Sequence, residues 1–430
     1  MKRNTLIWTA VAGVVVTGLV VMARPHLPRV PRLPRLPRLE PFAENERERR
    51  LRRFYSQPVA RFARHLHRRR VVIDGQMLDA KFQHLLELGS ERDAARRMFR
   101  LMFATSAGRR YLRVLGDRRW LVFSKQSAPM RRTLDLVVQG RGGGISVRIY
   151  WPQTEGQGPL PMLVYAHGGG FIAGSVAAMD RVARLMANEA QSIVVSVDYR
   201  LAPECPFPAA ADDVEDVFLW ARAHAGALGA DPRRIAVGGD SAGGHAAINV
   251  AQRQVFERRP SPAMLLLFYP AAGLPLQDPS FGLFASGFGL DAAFINYLFP
   301  RVWPTLVPGK DKLDALVDPR SAPSLAGLPP TIVDTAGFDV LRDVGAGFAR
   351  RLDECGVPVR YRNRSSLVHG FLQFGGVVEA ADQAATETLR VFGRALREGR
   401  LPDDADGALE PLQEDVADPE SSVDIPLAAS

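Results

Sequence analysis

The chain has 430 residues, of which 47% are hydrophobic and 23% charged, a composition typical of a globular protein that is long enough for a sizeable core. Its formal net charge is +9, but residues 24–70 hold fifteen Arg against four Glu, whereas residues 401–430 hold nine Asp or Glu and no Lys or Arg. Because the positive charge lies in an arm, it argues against a nucleic-acid-binding domain and for an acidic membrane surface beside that arm.

An uncharged N-terminal stretch predicts contact with a membrane. The 18 residues from Thr5 to Met22 carry no charge, and as a helix they would span about 27 Å, close to the hydrocarbon thickness of a bilayer. Residues 1–23 are therefore either a retained anchor or a signal peptide cleaved near Ala23. The stretch is long for a signal peptide and arginines follow it, which favours the anchor. The same arginines predict that the rest of the chain lies on the cytoplasmic side, whereas cleavage would imply export.

Residues 24–70 form a basic arm in two parts. From Pro28 to Pro41 the chain is PRVPRLPRLPRLEP, and the three-residue proline repeat predicts an extended, polyproline-like spacer that cannot be helical. Its arginines fall along one edge, so contact with anionic lipid is a second expected role besides spacing. Residues 42–70, dense in Arg and Glu, are predicted to be helical.

Residues 71–130 predict short amphipathic helices, because Leu, Met and Phe recur there at spacings of three and four. We expect these helices to pack on the main domain as a cap. The pattern changes from residue 131. The segments RRTLDLVV and ISVRIYW flank a turn at Gly140–Gly144, which predicts a β-hairpin.

Short apolar runs then alternate with helical stretches across residues 131–400. The predicted strands are Met162–Ala166, Ile193–Val197, Arg234–Val237, Ala263–Phe268, Thr331–Asp334 and Val357–Arg362. The predicted helices are 179–190, 209–226, 242–256, 341–354 and 376–397. Such alternation predicts an α/β fold with a mostly parallel sheet and the hairpin as its antiparallel edge. The acidic residues 401–430, with four prolines, are predicted to be disordered.

A candidate nucleophile lies in RIAVGGDSAGGHAAINVA. A strand is predicted to end at Gly238 and a helix to begin near Ala242, so that Ser241 occupies the centre of a Gly-x-Ser-x-Gly turn between them. This strand–turn–helix setting is the one that exposes a serine hydroxyl above the edge of a sheet, with the helix N-terminus favouring negative charge beside it.

A serine nucleophile needs a base and an orienting carboxylate. Two histidines follow Ser241 in the chain. His245 lies inside the predicted helix and is expected to be an ordinary packed or half-exposed residue, whereas His369 is expected in a loop at the C-terminal edge of the sheet. For the acid, TIVDTAGFDVLRD offers Asp334, Asp339 and Asp343. The loop position just beyond a strand favours Asp339.

The segment YAHGGGFIAG, Tyr165 to Gly174, places three glycines directly after a predicted core strand. Glycine orders poorly, so the run indicates backbone N–H groups that must approach a ligand closely. In acyl transfer, negative charge develops on the carbonyl oxygen, and each preorganised N–H donor is worth about 3–4 kcal/mol. We expect these donors to belong to Gly168, Gly169 and Ala242.

Five motifs together resemble the hormone-sensitive-lipase family of α/β-hydrolase esterases. They are HGGGF at 167–171, YRLAPE at 199–204, GDSAGG at 239–244, GFDVLRD at 337–343 and HGF at 369–371. The resemblance covers roughly residues 71–400. It implies an α/β-hydrolase fold with an N-terminal helical cap, a triad of Ser241, Asp339 and His369, and an oxyanion hole from Gly168, Gly169 and Ala242. It implies neither a cofactor nor a metal.

The expected function is therefore that of a serine carboxylesterase acting on small or apolar acyl esters through an acyl-enzyme. A membrane anchor before the catalytic domain is also similar to arylacetamide deacetylases, which makes deacetylation of amides an alternative. A non-catalytic binding module is a third possibility, because plant gibberellin receptors resemble this family but lack the triad histidine. The presence of His369 argues against it.

Overall fold

The structure is a computed structural model, and it describes residues 46–66, 68–88, 92–126, 129–154, 158–304 and 315–402. The predicted anchor at residues 5–22, the proline repeat and almost all of the acidic segment 401–430 lie outside the described residues. Within the described ranges, no helix is both long enough and apolar enough to cross a membrane.

The N-terminal part of the described chain is helical, in agreement with the predictions for residues 42–70 and 71–130. Its elements are α1 (Glu46–Tyr55), α2 (Val59–His65), β1 (Val72–Ile73), β2 (Gln76–Met77), α3 (Ala80–Glu87), α4 (Arg92–Phe103) and α5 (Ser106–Phe123). The two-residue strands β1 and β2 form a small antiparallel hairpin that the helical pattern did not predict. Asp74 and Gly75 at its turn both have positive φ, which is the backbone conformation that favours an Asp-Gly turn.

Within the described residues, eight further strands form one sheet in the order β10-β9-β8-β7-β5-β6-β4-β3. They are β3 (Arg132–Gly140), β4 (Gly143–Trp151), β5 (Leu160–Ala166), β6 (Ile193–Asp198), β7 (Ala230–Asp240), β8 (Leu265–Phe268), β9 (Thr331–Phe338) and β10 (Val359–Val368). Neighbours from β10 to β6 are parallel, and β4 and β3 add an antiparallel edge. The predicted sheet and its hairpin edge are confirmed.

Helices connect the strands and cover the sheet. They are α6 (Asp180–Ala190), α7 (Ala209–Ala223), α8 (Ala225–Leu228), α9 (Ala242–Phe256), α10 (Pro279–Leu283), α11 (Ala292–Val302), α12 (Arg342–Glu354) and α13 (Glu379–Glu398). Residues Met162–Ala166 of β5 are all 0% exposed. Because consecutive strand residues point to opposite faces, both faces of the sheet are covered at this strand.

Four predicted elements differ clearly from the observed ones. Strand β10, predicted as Val357–Arg362, runs from Val359 to Val368. Strand β7 ends at Asp240 rather than near Gly238, because β5 and β8 pair with it up to its last residues. The predicted helix 209–226 is divided at His224 into α7 and α8. Strand β9 continues to Phe338, which places Asp334 in the middle of a strand instead of at its end.

A buried lysine fastens the N-terminal helices to the rest of the molecule. Lys81 of α3 is 0% exposed, and its Nζ donates to the Tyr55 carbonyl at 2.7 Å and to the Val377 carbonyl at 2.9 Å. It also donates to Glu379 Oε1 at 2.8 Å. One ammonium group therefore joins α1, α3 and the start of α13.

Candidate active site

Ser241 occupies the sharp turn between β7 and α9. Its φ is 55° and its ψ is −120°, a strained backbone conformation for a residue with a side chain. The turn closes only because its flanking positions lack side chains. A Cβ at Gly239 would lie 2.3 Å from the carbonyl carbon of Gly243, and a Cβ at Gly243 would lie 2.0 Å from the Ala166 carbonyl oxygen. The predicted strand–turn–helix arrangement around Ser241 is present.

His369 lies directly after β10, which is three strands away from β7, and at the same C-terminal edge of the sheet as Ser241. Its Nε2 is 2.9 Å from Ser241 Oγ, and its Nδ1 is 2.7 Å from Asp339 Oδ2. The structure therefore brings together the three side chains that the sequence singled out, although 98 and 128 positions separate the serine from the other two.

Asp339 follows β9 immediately and is 1% exposed. Its Oδ1 accepts a hydrogen bond from the Leu341 N–H at 2.9 Å, which leaves Oδ2 directed at His369. The two rival aspartates have other partners. Asp334 accepts from Arg364 Nε at 2.8 Å. Asp343 accepts from the Ser280 N–H at 2.7 Å.

His245 is buried in α9 and does not contact Ser241 Oγ. Its Nδ1 is 2.7 Å from the Ala271 carbonyl oxygen and its Nε2 is 2.8 Å from the Leu316 carbonyl oxygen. Burial lowers the pKa of His245, and the hydrogen bonds with the two carbonyl oxygens oppose that lowering. Its position agrees with the prediction of a packed helix residue.

The glycine run after β5 turns beside Ser241, but one of its predicted donors is wrong. The Gly168 N–H donates to Asp240 Oδ1 at 2.8 Å, so this amide is already committed within the protein. Among the described residues, no backbone carbonyl accepts a hydrogen bond from the N–H of Gly169, Gly170 or Ala242. Those three amides, rather than that of Gly168, are therefore the candidate donors to a ligand.

Two glycines of the run have positive φ and a close neighbour. Gly169 has a φ of +117°, and a Cβ there would lie 2.2 Å from the Ala173 carbonyl oxygen. Gly170 has a φ of +62°, and a Cβ there would lie 2.6 Å from Cδ1 of Leu298. Leu298 belongs to α11, which therefore forms a wall directly beside the glycine run.

Asp240, immediately before Ser241, is the site residue that the sequence analysis missed. Its buried carboxylate accepts from the Tyr165 hydroxyl at 2.6 Å as well as from the Gly168 N–H. Gln373 Nε2 lies 3.3 Å from its other oxygen. Burial raises the pKa of Asp240, and these hydrogen bonds oppose that rise. No local pattern indicates the role, because its partners are 29 to 133 positions away.

The arrangement is suited to acyl transfer. It offers a hydroxyl, an imidazole and a carboxylate in one hydrogen-bonded series, with amide donors beside the hydroxyl. Among the residues that the structure describes, no group of three or more His, Cys, Asp or Glu side chains is placed to hold a metal ion.

Comparisons with known proteins agree with this chemistry. A family model described as alpha/beta hydrolase fold matches residues 163–373. Carboxylesterase NlhH of Mycobacterium tuberculosis is 43% identical over 256 residues, which are 59% of this chain and 79% of that protein. Arylacetamide deacetylase of Oryctolagus cuniculus is 32% identical over 294 residues, covering 54% of this chain and 73% of that protein.

A solved structure extends the comparison to the fold as a whole. Ester-hydrolase EH1AB1 from the metagenome of Lake Arreo is similar with a TM-score of 0.68 and 34% sequence identity, over 75% of this chain and 100% of that chain. The predicted fold class and the predicted enzyme class are thereby confirmed. The chain belongs to the hormone-sensitive-lipase family of α/β-hydrolase esterases and is a serine carboxylesterase.

Proposed function

We propose that Ser241 is the nucleophile of this carboxylesterase, His369 its general base and acid, and Asp339 the carboxylate that orients the imidazole. The observation that supports these roles is the continuous series of hydrogen bonds, 2.9 Å from Ser241 to His369 and 2.7 Å from His369 to Asp339. With Nδ1–H held by the carboxylate, Nε2 carries the lone pair that can accept the serine proton.

In the proposed reaction, Ser241 Oγ attacks the ester carbonyl carbon while His369 Nε2 takes the hydroxyl proton. Negative charge moves onto the carbonyl oxygen, where the N–H groups of Gly169, Gly170 and Ala242 stabilise it. The tetrahedral intermediate collapses as the imidazolium gives its proton to the leaving alkoxide oxygen, which departs as an alcohol. Water then attacks the acyl-enzyme while the same nitrogen takes its proton. That proton passes to Ser241 Oγ as the acyl–oxygen bond breaks and the carboxylic acid leaves.

We propose small or apolar acyl esters as substrates. The Leu298 side chain against Gly170 supports this choice, since it presents an apolar wall next to the amides that would bind the carbonyl oxygen. Amide deacetylation is the second candidate, supported by the similarity to arylacetamide deacetylase. The two differ only in the leaving group that His369 must protonate.

The test is hydrolysis by purified protein of matched p-nitrophenyl esters and p-nitroanilides of increasing acyl length. We expect turnover of short-chain esters, and a fall of about 10⁴-fold or more for Ser241→Ala, because only binding and the oxyanion donors remain. His245→Asn is the matched control, since that imidazole does not contact the nucleophile. Near-normal turnover by a folded Ser241→Ala protein would contradict the mechanism. Faster anilide than ester turnover would favour the deacetylase.

We further propose that residues 5–22 remain attached as a single-pass anchor with the catalytic domain in the cytoplasm. Support comes from the sequence alone, namely the 18 uncharged residues and the five arginines between positions 24 and 38 that follow them. The Arg-rich arm would then lie near anionic lipid.

A further inference from the structure

The helices α4 and α5 form a hairpin whose inner side is fastened beside the active site. On α4, Phe99 stacks on Phe103 with ring centroids 5.4 Å apart and meets Phe294 of α11 edge-on at 5.7 Å. Helix α11 is also the element whose Leu298 reaches Gly170. The first helix of the hairpin thus rests on the wall of the site.

The second helix is tied to the glycine-rich loop itself. Arg113 of α5 donates from Nε to the Ile172 carbonyl at 2.8 Å, two residues after Gly170. Glu204 accepts from both Arg109 and Arg113 at 2.7 Å, and this pairing lowers the pKa of Glu204 to about 2 although partial burial opposes it. The hairpin is therefore held over the same loop that carries the proposed oxyanion donors.

The outer side of the hairpin has the opposite character. Leu101 is 67% exposed, Tyr111 47% and Val114 49%, and Arg97 and Arg110 are exposed among them. We call these five residues the outer cap face. Residues 97–114 contain no Asp or Glu and five arginines, so this segment is basic. Exposed apolar side chains interleaved with arginine are typical of helices that lie on anionic bilayers.

The route of the N-terminal chain points to the same face. Helix α1 packs on α5, where Arg118 Nε is 2.8 Å from Glu48 Oε1 and Arg52 donates to the Leu121 carbonyl at 3.1 Å. The 45 residues before Glu46, with their uncharged stretch and their arginines, therefore join the structure next to the hairpin. A membrane held by that segment would be brought to the outer cap face.

We propose that the outer cap face docks on the surface of an anionic bilayer and presents the active site to esters dissolved in that bilayer. The docking itself is independent of the catalytic roles, whereas the delivery of substrate rests on the proposed function. Near an anionic surface, each arginine should contribute about fivefold to the affinity. Reversing both charges should lower it by about 25-fold or more.

The experiment uses the full-length protein with one environment-sensitive dye on Val114→Cys, after Cys205→Ser and Cys355→Ala have removed the native thiols. Val137→Cys on β3, 47% exposed, carries the dye in the matched control. Vesicles are phosphatidylcholine alone or with phosphatidylglycerol. We expect a blue shift at position 114 only with phosphatidylglycerol, reversed by high salt. No shift at 114, or an equal shift at 137 or in the neutral vesicles, would overturn the proposal.

A second pair of variants separates docking from catalysis and from self-association. Arg97→Glu/Arg110→Glu should abolish the shift, whereas Arg350→Glu/Arg394→Glu, the same charge change at exposed positions on α12 and α13, should preserve it. Both should hydrolyse a water-soluble ester as the wild type does. If the wild type did not hydrolyse this ester, the proposed function would be refuted, and the vesicle result would be unaffected. Dissociation of a dimer by the first pair, without vesicles, would identify a self-association face and overturn the proposal.

Discussion

Three aspartates lie within ten positions of one another after the start of β9, and their partners alone distinguish them. Only Asp339 contacts His369, whereas Asp334 holds Arg364 and Asp343 holds the Ser280 amide. Each is satisfied by a different element, so each should respond differently to loss of its charge.

We expect Asp339→Asn to lower kcat by about 10⁴-fold, because an amide at this position would favour the wrong imidazole tautomer. Asp334→Asn should mainly lower the free energy of unfolding, since it leaves Arg364 without a buried counter-charge. Steady-state kinetics and urea unfolding of the variants, with Asp343→Asn as the third member, measure both effects. A larger loss of kcat at Asp334 or Asp343, in folded protein, would show that the acid was misassigned.

Asp240 is expected to act as a positioning residue. Its carboxylate joins the Gly168 amide to Tyr165, which fixes the loop bearing Gly169 and Gly170 against the serine turn. Asp240→Ala should lower kcat by about 10²–10³-fold with little change in KM, as when an oxyanion donor is lost. Asp240→Asn keeps an oxygen acceptor for both donors and should restore most of the activity. An equal loss in both variants would indicate that the negative charge, not the position, matters.

Single residues also show the limit of prediction from sequence. That Ser241, Asp339 and His369 lie together was predictable, because a serine nucleophile, its base and its acid are expected at strand ends in a fixed chain order. Gly168 was assigned wrongly as an oxyanion donor, because its acceptor on Asp240 lies 72 positions away and only the fold brings the two together. The glycine run could indicate that backbone amides bind a ligand, but not which amide is already hydrogen-bonded within the protein.

At the scale of elements, α11 is the segment that shapes the site without any motif of its own. Leu298→Ala should enlarge the space beside Gly170 and raise kcat/KM for longer acyl chains relative to short ones by about tenfold or more. Leu283→Ala on α10, 41% exposed, is the matched control and should leave the chain-length profile unchanged. An unaltered profile for Leu298→Ala would mean that the acyl group lies elsewhere.

The buried carboxyl group of Asp117, on α5, should make the free energy of unfolding depend on pH. Burial raises the pKa of Asp117 to about 7, helped by the nearby Asp198 and opposed by the Ser175 hydroxyl, which donates at 2.7 Å. The folded state therefore binds more protons than the unfolded state between pH about 4 and about 7. The resulting contribution to the free energy of unfolding is fully present below pH about 4 and is lost as the pH rises to about 7.

Asp117→Asn should remove that dependence. Urea unfolding at pH about 5 and about 8 should show a smaller decline for the variant than for the wild type. At the higher pH the variant should be the more stable protein, by about 1.4 kcal/mol for each unit of pKa shift removed. Asp353→Asn, on α12 and away from this junction, is the control. A steeper decline in Asp117→Asn would show that the carboxylate is stabilising when ionised.

Elements differ in how far the sequence defines them. The edge hairpin and the strand at β5 follow from local pattern, and their predicted positions hold within about two residues. Strand β7 is longer than its apolar core because pairing with β5 and β8 continues past that core. Strand β9 is longer because its pairing with β10 continues to Phe338. Neighbouring strands decide where pairing ends, so the composition of one strand alone does not predict its length.

At the scale of the whole molecule, the proposed anchor predicts a definite topology. Protein isolated from membranes should keep its original N-terminus, and external protease should spare the catalytic domain in intact cells but digest it after lysis. N-terminal sequencing and protease accessibility measure the two outcomes. A mature start at Arg24, or digestion in intact cells, would contradict the orientation and leave the esterase assignment unaffected.

Because the ammonium group of Lys81 is buried, its chemical modification can report detachment of the N-terminal helices. Its side chain is 0% exposed and donates to three segments at once, whereas Lys125 is 39% exposed. An amine-specific reagent can therefore modify Lys125 in the native state, but Lys81 only while the N-terminal helices are detached. The ratio of the two modified peptides, followed by mass spectrometry over time, would count detachment events in a working enzyme.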